Sequence, residues 1–427
     1  MPDSKATKDD KIMIASGEGP YVPWEHVCFG SKESLAKFVA GADEQNLSLI
    51  VGKPRVLPPG FKRQKATFLD LSPMSGVIEH CLADQVICVE SGMSVLELDR
   101  FLAKHNQWWP IDLGESDKSV GAILSQGDGG CLEHRFGGPR NLVLGLEVAL
   151  ASGEVIKCGG KVVKNVTGYD LSKLFIGSRG WLGIILSANL RLFARPNLSG
   201  TRLWIASDPS ILLSAVQTLE RSGLPLSSLE LVSLSLVSRL VEAGSEVGDI
   251  IKRAGKDDGG QAAALFVRTG GIREVVEEVL HEVEKVITVA SAFSVPEDEQ
   301  EQLWSQLSDA AHFTGLRCIE VSVVPPQLVV LFKSWWTQLG QPLWQYRPGR
   351  GRLKCYLSEG QDVDQLISAL RSYALKDKQS LVVAYDDNAF AYRVERLPDE
   401  DDCAQALKKS LKELYDPCGV LNPLVIL

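Results

Sequence analysis

The sequence predicts an α+β protein built from two domains. The chain has 427 residues, of which 45% are hydrophobic, so it is long enough for two separate cores. Strand-like and helix-like segments alternate through its second half, with Gly, Asp and Pro between them. Glycines recur between two apolar runs from Ser119 to Pro196. Because glycine adopts φ > 0 and has no side chain, this stretch predicts a wall that approaches a flat, polyanionic ligand closely.

The first elements follow from capping and hydrophobic periodicity. The segment Ser31–Asn46 predicts an amphipathic helix capped by Ser31. Three apolar segments, LSLIVG, ATFLDLS and QVICVE, predict strands. Ser94 and Glu97 form a capping box, which predicts a helix to about Asn106.

The end of the first half predicts a hairpin and a long strand. Val143–Leu150 alternates and is followed, after a turn, by VIKCG. Gly183–Phe193 also alternates, which predicts a half-buried strand. We place a domain boundary at Pro196. The predicted units are a disordered tail (1–20), a first domain (21–196), an α+β domain (197–400), and a C-terminal helix and tail (401–427).

The second half predicts a sheet with helices on one face. Its predicted strands are TRLWIA, AALFVRT, RCIEVSVV, RLKCYLS and SLVVAYD, and its predicted helices are PSILLSAVQTLERSG, REVVEEVLHEVEKVI, PQLVVLFKSWWTQLG and DVDQLISALRSYAL. The repeated pattern is compatible with two ferredoxin-like units. An aromatic group either lines a pocket or, as is more common, belongs to the core: Trp335, Trp336, Trp344 and Tyr346.

Composition and charge exclude several classes of function. A net charge of −9 argues against binding of nucleic acid or of an anionic membrane surface. No run of 18 apolar residues predicts a membrane span, and the polar N-terminus does not resemble a secretory signal. The nine cysteines are scattered without a C-x-x-C pair. We therefore expect reduced thiols, a cytoplasmic protein and no structural zinc or iron–sulfur site.

Three segments in order carry a family resemblance: SVGAILSQGDGG, HRFGGPRNLVLGLEVALASGEV and KNVTGYDLSKLFIGSRGWLGII. Together they resemble the FAD-binding domain of the vanillyl-alcohol oxidase / p-cresol methylhydroxylase (PCMH) superfamily, and within it most the glycolate oxidase FAD-binding subunits. The resemblance covers about Pro23 to Pro196. It implies a two-subdomain PCMH-type FAD-binding domain, an α+β (ferredoxin-like) cap domain, and a C-terminus that returns to the FAD domain.

The resemblance also implies which residues contact FAD. Backbone N–H groups would bind the diphosphate, and small residues would lie beside the rings. Gly121 and Gly183 are expected to need a small residue because the backbone approaches the cofactor there. The cofactor-binding residues carried over are Gly52, Lys53, Pro110, Asp112, Ser119, Val120, Gly121, Gly129, Gly130, Arg135, Gly137, Arg140, Lys164, Asn165, Gly168, Tyr169, Gly183, Ile184 and Ile185.

This chain departs from the family pattern at several of these segments. Prolines 54, 58 and 59 remove N–H donors from the first loop, so that loop either contacts phosphate through Lys53 or is only a rigid turn. The segment from Ser119 to Gly130 is a ligand loop or a structural turn, and the same alternative holds for Arg135–Arg140. Asp128 and Trp181 stand where the family has small residues. The first loop contains no histidine, which favours non-covalent FAD.

Two hypotheses about function remain open. The first is a flavin oxidoreductase subunit that oxidises a small 2-hydroxy acid such as glycolate. Arg347 and Arg350, in a basic run, would hold the substrate carboxylate, or else they lie on a solvated strand and turn. The second is a non-catalytic subunit that serves assembly or electron transfer. Both imply a second flavoprotein subunit and an electron acceptor. No catalytic residue and no metal site is assigned, because the histidines are not paired in sequence.

Overall fold

The computed structural model describes residues 11–18, 23–52, 65–112, 114, 118–160, 170–242, 244–254, 262–288, 291–324, 327–328, 343–357, 363–376, 381–386, 392–397, 402–423 and 425–426. These residues form two sheets in the first half of the chain, one large sheet in the second half, and a two-stranded ribbon. None of the helices in these ranges is long and apolar enough to cross a bilayer.

The first sheet has four strands in the order β1-β2-β4-β3. Its elements are β1 (Lys11–Glu18), β2 (Pro23–Phe29), α1 (Lys32–Ala40), β3 (Leu47–Val51) and β4 (Lys65–Asp70). Strands β2, β4 and β3 are parallel, and β1 is antiparallel to β2. The predicted disordered tail (1–20) is therefore wrong for Lys11–Glu18, because these residues pair with β2 along its whole length. The predicted cap of α1 is present, since the Ser31 hydroxyl accepts a hydrogen bond from the N–H of Ser34. The helix ends at Ala40, earlier than Asn46, because the chain turns back through Gly41 and Asn46, whose φ is 52°.

The second sheet has five antiparallel strands in the order β5-β6-β10-β8-β9. Its strands are β5 (Val77–Cys81), β6 (Val86–Glu90), β8 (Val143–Ala149), β9 (Val155–Gly159) and β10 (Ile184–Arg191). The ribbon pairs β7 (Gln107–Trp108) with β11 (Phe193–Ala194). The helices of this region are α2 (Val95–Ala103), α3 (Val120–Gln126), α4 (Glu133–Phe136), α5 (Pro139–Leu142) and α6 (Ser172–Phe175).

Strand β10 is buried on both faces from Ile184 to Ala188, so the prediction of a half-buried strand is wrong there, whereas Arg191 at its end is exposed. Ile184 and Leu186 belong to the core of the first sheet, whereas Ile185 and Leu190 pack into a second core with α2 and α3. The polar Ser187 is also buried, because its hydroxyl donates a hydrogen bond to Glu147. The central strand therefore joins the two cores of the first half.

The second half forms a ten-stranded sheet in the order β15-β12-β14-β13-β17-β18-β16-β19-β20-β21. The strands are β12 (Leu198–Ala206), β13 (Leu226–Ser233), β14 (Ala263–Gly271), β15 (Ala292–Ser294), β16 (Arg317–Ser322), β17 (Leu343–Arg347), β18 (Arg352–Leu357), β19 (Leu381–Asp386), β20 (Tyr392–Leu397) and β21 (Val425–Ile426). A 3-10 turn, Pro348–Arg350, joins β17 to β18.

Helices lie on both faces of this sheet, which corrects the prediction of a single covered face. The helices are α7 (Pro209–Ser222), α8 (Leu234–Leu240), α9 (Glu246–Ala254), α10 (Arg273–Val286), α11 (Glu297–Ser308), α12 (Ala310–Thr314), α13 (Val363–Lys376) and α14 (Asp402–Tyr415). Alternation along β12 shows the two faces, since Trp204 belongs to the core cluster that includes α7, α10 and α13, whereas Leu203 belongs to the cluster that includes α8, α9 and α11. Trp344 and Tyr346 are buried in the core, which is the more common of the two alternatives given for this aromatic group. Trp335 and Trp336 lie outside the described residues.

The C-terminal segment contacts both halves of the molecule. Tyr415 of α14 packs edge-on against Phe175, with 5.5 Å between ring centroids. Leu421 lies in the core of the first sheet and bridges to Leu49. A few residues later, β21 pairs with β20 of the ten-stranded sheet. The segment therefore ties the first half to the second.

Candidate cofactor site between the two halves

The segment from Ser119 to Gly130, predicted as a ligand loop or a structural turn, begins as a short helix. Ser119 caps α3, because its hydroxyl accepts a hydrogen bond from the N–H of Ala122 at 3.2 Å. Val120 is buried in the core beneath. The helix ends at Gly127, whose φ of 74° is left-handed. The loop itself is therefore residues 127–130, which we call the glycine loop.

Gly121 and Gly183 are surrounded by the protein itself. A Cβ added at Gly121 would lie 2.9 Å from the backbone oxygen of Ser91, and the N–H of Gly121 already donates to that oxygen. A Cβ at Gly183 would lie 2.5 Å from Val148. The expected need for a small residue thus has a packing cause at both positions, and their contact with a cofactor stays a prediction.

Both N–H groups of the glycine loop that the resemblance assigns to phosphate already have carboxylate partners. The N–H of Gly129 donates to Glu133 Oε1 at 2.8 Å, and the N–H of Gly130 donates to Asp128 Oδ1 at 3.1 Å. Gly130 has φ 79°, and a Cβ there would lie 1.5 Å from the backbone oxygen of Asp112. A phosphate could take these N–H groups only if both carboxylates moved away.

Asp128 points away from the first half and toward the ten-stranded sheet. Its Oδ2 lies 3.0 Å from Lys354 Nζ, and its Oδ1 lies 3.2 Å from Arg347 Nη1. Burial alone would raise the pKa of Asp128, but Lys354 and Arg347 hold it well below its ordinary value. The carboxylate is therefore ionised and neutralised, so its repulsion of a nearby diphosphate is reduced.

Arg347 makes its ion pairs inside the protein. Its side chain is 2% exposed, and its Nε lies 2.8 Å from Oε1 of the fully buried Glu230. Its Nη2 lies 3.7 Å from Cys131 Sγ. Burial opposes the charged form, yet Glu230 keeps the pKa of Arg347 well above its ordinary value. Holding a substrate carboxylate would require Arg347 to exchange one of these partners, so this role stays a prediction.

Arg350 is paired as well, whereas Arg140 makes no ion pair within the described residues. Arg350 Nε lies 3.0 Å from Oε2 of the buried Glu133. Arg140 donates two hydrogen bonds to the carbonyl of Ile176, at 3.1 and 3.2 Å. Burial, Arg350 and Arg352 all lower the pKa of Arg140. The Arg140 side chain is exposed, so it is a cation with positive neighbours that faces solvent.

Two further ion pairs join the halves. Asp112 pairs with Arg268 of β14, and Lys118 Nζ lies 3.0 Å from Asp309 Oδ2. The Asp112 carboxylate is therefore engaged by the second half, and its contact with a cofactor stays a prediction. Pro110, which precedes it, is buried.

The structure describes only some of the remaining residues that were predicted to bind the cofactor. Gly52 ends β3 with φ 125°, and no atom of the described residues lies within 4 Å of an added Cβ. Arg135 is exposed beside the ring of Phe136, and Gly137 has φ 74°. Ile184 and Ile185 are buried at the start of β10. Lys53, Lys164, Asn165, Gly168 and Tyr169 lie outside the described residues.

Three buried polar residues of the site were missed in the sequence. Ser91 precedes Gly92 at the end of β6, and its buried hydroxyl has no hydrogen-bond partner among the described residues. Glu133 and Glu230 are buried acids that pair with arginines. Ser91 could have been noticed as a polar residue before a glycine at a strand end. Glu230 could not, because its partner Arg347 is more than a hundred residues away.

Trp181, where the family has a small residue, contacts the C-terminal helix. Lys412 Nζ of α14 lies 4.9 Å from the centre of its ring and donates to its carbonyl at 2.7 Å. The large side chain thus contacts the C-terminal helix, which explains why the position departs from a small residue.

Two groups in the described part of the first half fit the needs of an anionic ligand such as FAD. The hydroxyl of Ser91, which has no hydrogen-bond partner among the described residues, lies against the N-terminal turn of α3. Arg140 supplies positive charge without a carboxylate partner in the described part. An anionic, planar group needs such hydrogen-bond donors and such positive charge.

Comparison with known proteins defines the class of the first half. Residues 26–159 match the FAD binding domain family, so this part of the chain is similar to FAD-binding domains. The whole fold is similar to the crystal structure of p-cresol methylhydroxylase with substrate bound, with a TM-score of 0.66 and 17% identity, covering 95% of this chain and 89% of that one. The resemblance to PCMH-type FAD-binding proteins, stated from the motifs, is confirmed.

Two proteins of known name are similar to the chain in sequence. The chain is 27% identical over 238 residues to glycolate oxidase subunit GlcD of Bacillus subtilis (strain 168), covering 56% of this chain and 49% of that protein. It is 25% identical over 377 residues to the mitochondrial D-2-hydroxyglutarate dehydrogenase of Rattus norvegicus, covering 83% and 68%. The match thus spans about half of the length of the glycolate oxidase subunit.

Proposed function

We infer that the protein is an FAD-dependent oxidoreductase that acts on a small 2-hydroxy acid, with FAD bound non-covalently. The observation that carries this proposal is the FAD-binding domain over residues 26–159, together with relatives named for glycolate and D-2-hydroxyglutarate. When bound, FAD accepts the hydride equivalent from the substrate carbon. A cytoplasmic location and a second flavoprotein subunit as partner are part of the same proposal.

The chain's own residues would bind and orient the two ligands. Ser91, Gly52 and Gly121 would line the cofactor side, and Arg140 would supply charge toward an anionic group. Arg350 would reach a substrate carboxylate by exchanging Glu133 for it, because both partners carry the same charge. The buried core residues beneath α3 would exclude water from this side.

A second candidate function is a non-catalytic subunit that serves assembly or electron transfer. The observation that favours it is the pairing of both predicted substrate arginines with buried acids of the chain itself. A carboxylate substrate would have to compete with these intramolecular partners.

Purified protein tests both candidates. We expect a yellow protein that releases its flavin in acid, and a thermal shift on adding FAD, since a ligand at ~100 times its Kd stabilises by ~2.7 kcal/mol. A colourless protein without that shift would contradict the proposal. Turnover of glycolate or D-lactate with an artificial acceptor, lost in Arg350→Met, supports the oxidoreductase. Bound flavin with little turnover, and co-purification with a partner, supports the second candidate.

A further inference from the structure

Three donors from different parts of the chain converge on the carboxylate of Asp128. Its Oδ1 accepts a hydrogen bond from the N–H of Gly130 at 3.1 Å and lies 3.2 Å from Arg347 Nη1. Its Oδ2 lies 3.0 Å from Lys354 Nζ. Proteins bind carboxylate and phosphate groups with this combination of charged donors and backbone N–H. The Asp128 carboxylate therefore lies where the oxyanion of a ligand would be bound.

Each of the three donors is held by contacts that do not involve this carboxylate. Gly130 has φ 79°, and its Cα is packed so closely on Asp112 that an added Cβ would lie 1.5 Å from the backbone oxygen. Arg347 Nε lies 2.8 Å from Oε1 of the buried Glu230. The lysine belongs to β18, which is paired on both sides, with β16 and β17. The donors therefore keep their positions when the carboxylate is removed.

The charges around this point balance only when an anion is present. Three of the four nearby cations have an acid of their own: Arg347 pairs with Glu230, Arg350 with Glu133, and Arg352 with Glu320. Within the described residues, the ion pair of Lys354 is with Asp128. The Lys354 side chain is 14% exposed, so leaving its charge uncompensated is costly. A single negative charge from another molecule would restore the balance.

Exposure to solvent distinguishes Asp128 from the other carboxylate of the glycine loop. Glu133 has comparable partners, since Oε1 accepts the N–H of Gly129 and Oε2 lies 3.0 Å from Arg350 Nε. Its side chain, however, is 0% exposed, whereas that of Asp128 is 30% exposed. Of the two carboxylates, that of Asp128 is therefore the one that a dissolved anion can replace.

We propose that the N–H of Gly130, Arg347 and Lys354 form an oxyanion-binding site that the chain occupies with its own Asp128 carboxylate. A carboxylate or phosphate group of another molecule binds there by displacing that side chain. Because Asp128 is tethered beside the site, its effective concentration is high and simple salts do not displace it. The site is defined by the described residues alone, so this inference goes beyond the proposed function and does not require bound FAD.

The test empties the site and offers it small anions. Full-length, flavin-free Asp128→Ala is unfolded with urea in sodium formate, sodium phosphate or sodium chloride at equal ionic strength. At ~10 times its Kd, formate or phosphate should raise the ratio of folded to unfolded variant about ten-fold above the change seen in wild type. The anion with the lower Kd shows whether the site prefers a carboxylate or a phosphate group.

Three controls make the response specific. Asp128→Asn fills the site with an uncharged group of the same size and should respond as the wild type does. Asp309→Ala removes another ion pair between the halves, that with Lys118, and should also follow the wild type. Lys354→Met added to Asp128→Ala should abolish the response. If Asp128→Ala does not fold in chloride, the yield of refolded protein in formate or phosphate against chloride gives the same comparison.

A saturable response to formate or phosphate that is confined to Asp128→Ala supports the site. Equal effects of all three salts on Asp128→Ala would overturn it, and so would an equal response of Asp309→Ala. The measurement is the stability of flavin-free protein. A chain that binds no FAD would therefore contradict the proposed function and leave this result unchanged.

Discussion

Gly121 shows how the same residue can be required by packing and by a ligand. The N–H of Gly121 donates to the carbonyl oxygen of Ser91 at 2.7 Å, and an added Cβ would lie 2.9 Å from that oxygen. The sequence predicts the need for glycine but attributes it to the cofactor. Because a backbone atom is the obstacle, α3 itself must shift when a side chain is added.

Gly121→Ala is therefore expected to destabilise the protein even without flavin. Overpacking of this kind costs about 1–3 kcal/mol. The measurement is urea unfolding of flavin-free protein. Gly271→Ala is the matched control, since its Cβ would make only an ordinary contact of 3.8 Å with Val275. Its stability should change by less than about 0.5 kcal/mol. Equal free energies of unfolding of both variants would show that α3 can shift without any loss of stability.

His134 gives a pH dependence at the contact between the halves. It lies in α4, and its Nδ1 would be 3.0 Å from a Cβ at Gly349 in the 3-10 turn. Burial lowers the pKa of His134. The unfolded chain, with an ordinary pKa of about 6.5, then binds more protons than the folded one as the pH falls. This contribution to stability is therefore complete above about pH 6.5 and decreases as the pH falls below it.

We expect the free energy of unfolding of the wild type to fall between pH 7.5 and about pH 5.5 by more than that of His134→Gln. The difference arises because the variant has no proton to take up at this position. His281→Gln, on the exposed face of α10, is the control and should follow the wild type. Parallel pH profiles for wild type and His134→Gln would contradict the prediction.

At the scale of elements, local signals predicted the helices and strands that have their own caps and periodicity. The Ser31 and Ser94 caps are present where the sequence placed them, and α2 starts at Val95. Strand β13 was missed. All of its residues are buried, although it contains three serines and Glu230. Its polar groups are satisfied by distant partners, such as Arg268 for Ser228, and a single sequence does not show such pairs.

One lysine joins the C-terminal helix α14 to the turn that follows it and to Trp181. Lys412 Nζ contacts the carboxylate of the buried Asp416 at 2.7 Å and donates to the carbonyls of Trp181 and Leu421. Asp416 in turn accepts the N–H groups of Val420 and Leu421. The turn after the helix therefore depends on a cation that the sequence alone would place on a solvated face.

Lys412→Ala is expected to destabilise the protein by about 2–3 kcal/mol, less than for a fully buried pair because Lys412 keeps some exposure to water. Lys409→Ala is the matched control, since its pair with Glu413 is exposed at 3.8 Å. It should cost less than about 0.5 kcal/mol. Chemical unfolding of both variants measures the difference. A similar small effect at both positions would show that α14 is held by its apolar face alone.

At the scale of the whole molecule, the sequence predicted the α+β class and the FAD-binding domain, because their signals are local or carried by motifs. It did not predict helices on both faces of the large sheet, nor the ion pairs that join the halves. Arg347 illustrates the reason. Its position in a basic run suggested a free cation, but Glu230 and Asp128 reach it only after two distant segments fold together. The domain boundaries and the residues that bind the cofactor stay predictions.

The position of Leu421 in the first core has a consequence for the order of folding. Leu49 and Leu421 lie in one cluster although more than 370 residues separate them along the chain. Contacts between such distant residues slow the search for the native state, because a very large loop must close first. During synthesis, the packing of the first core around β3 cannot be completed until the last part of the chain has emerged from the ribosome. Until then the apolar side chains that Leu421 covers in the native state stay exposed to water.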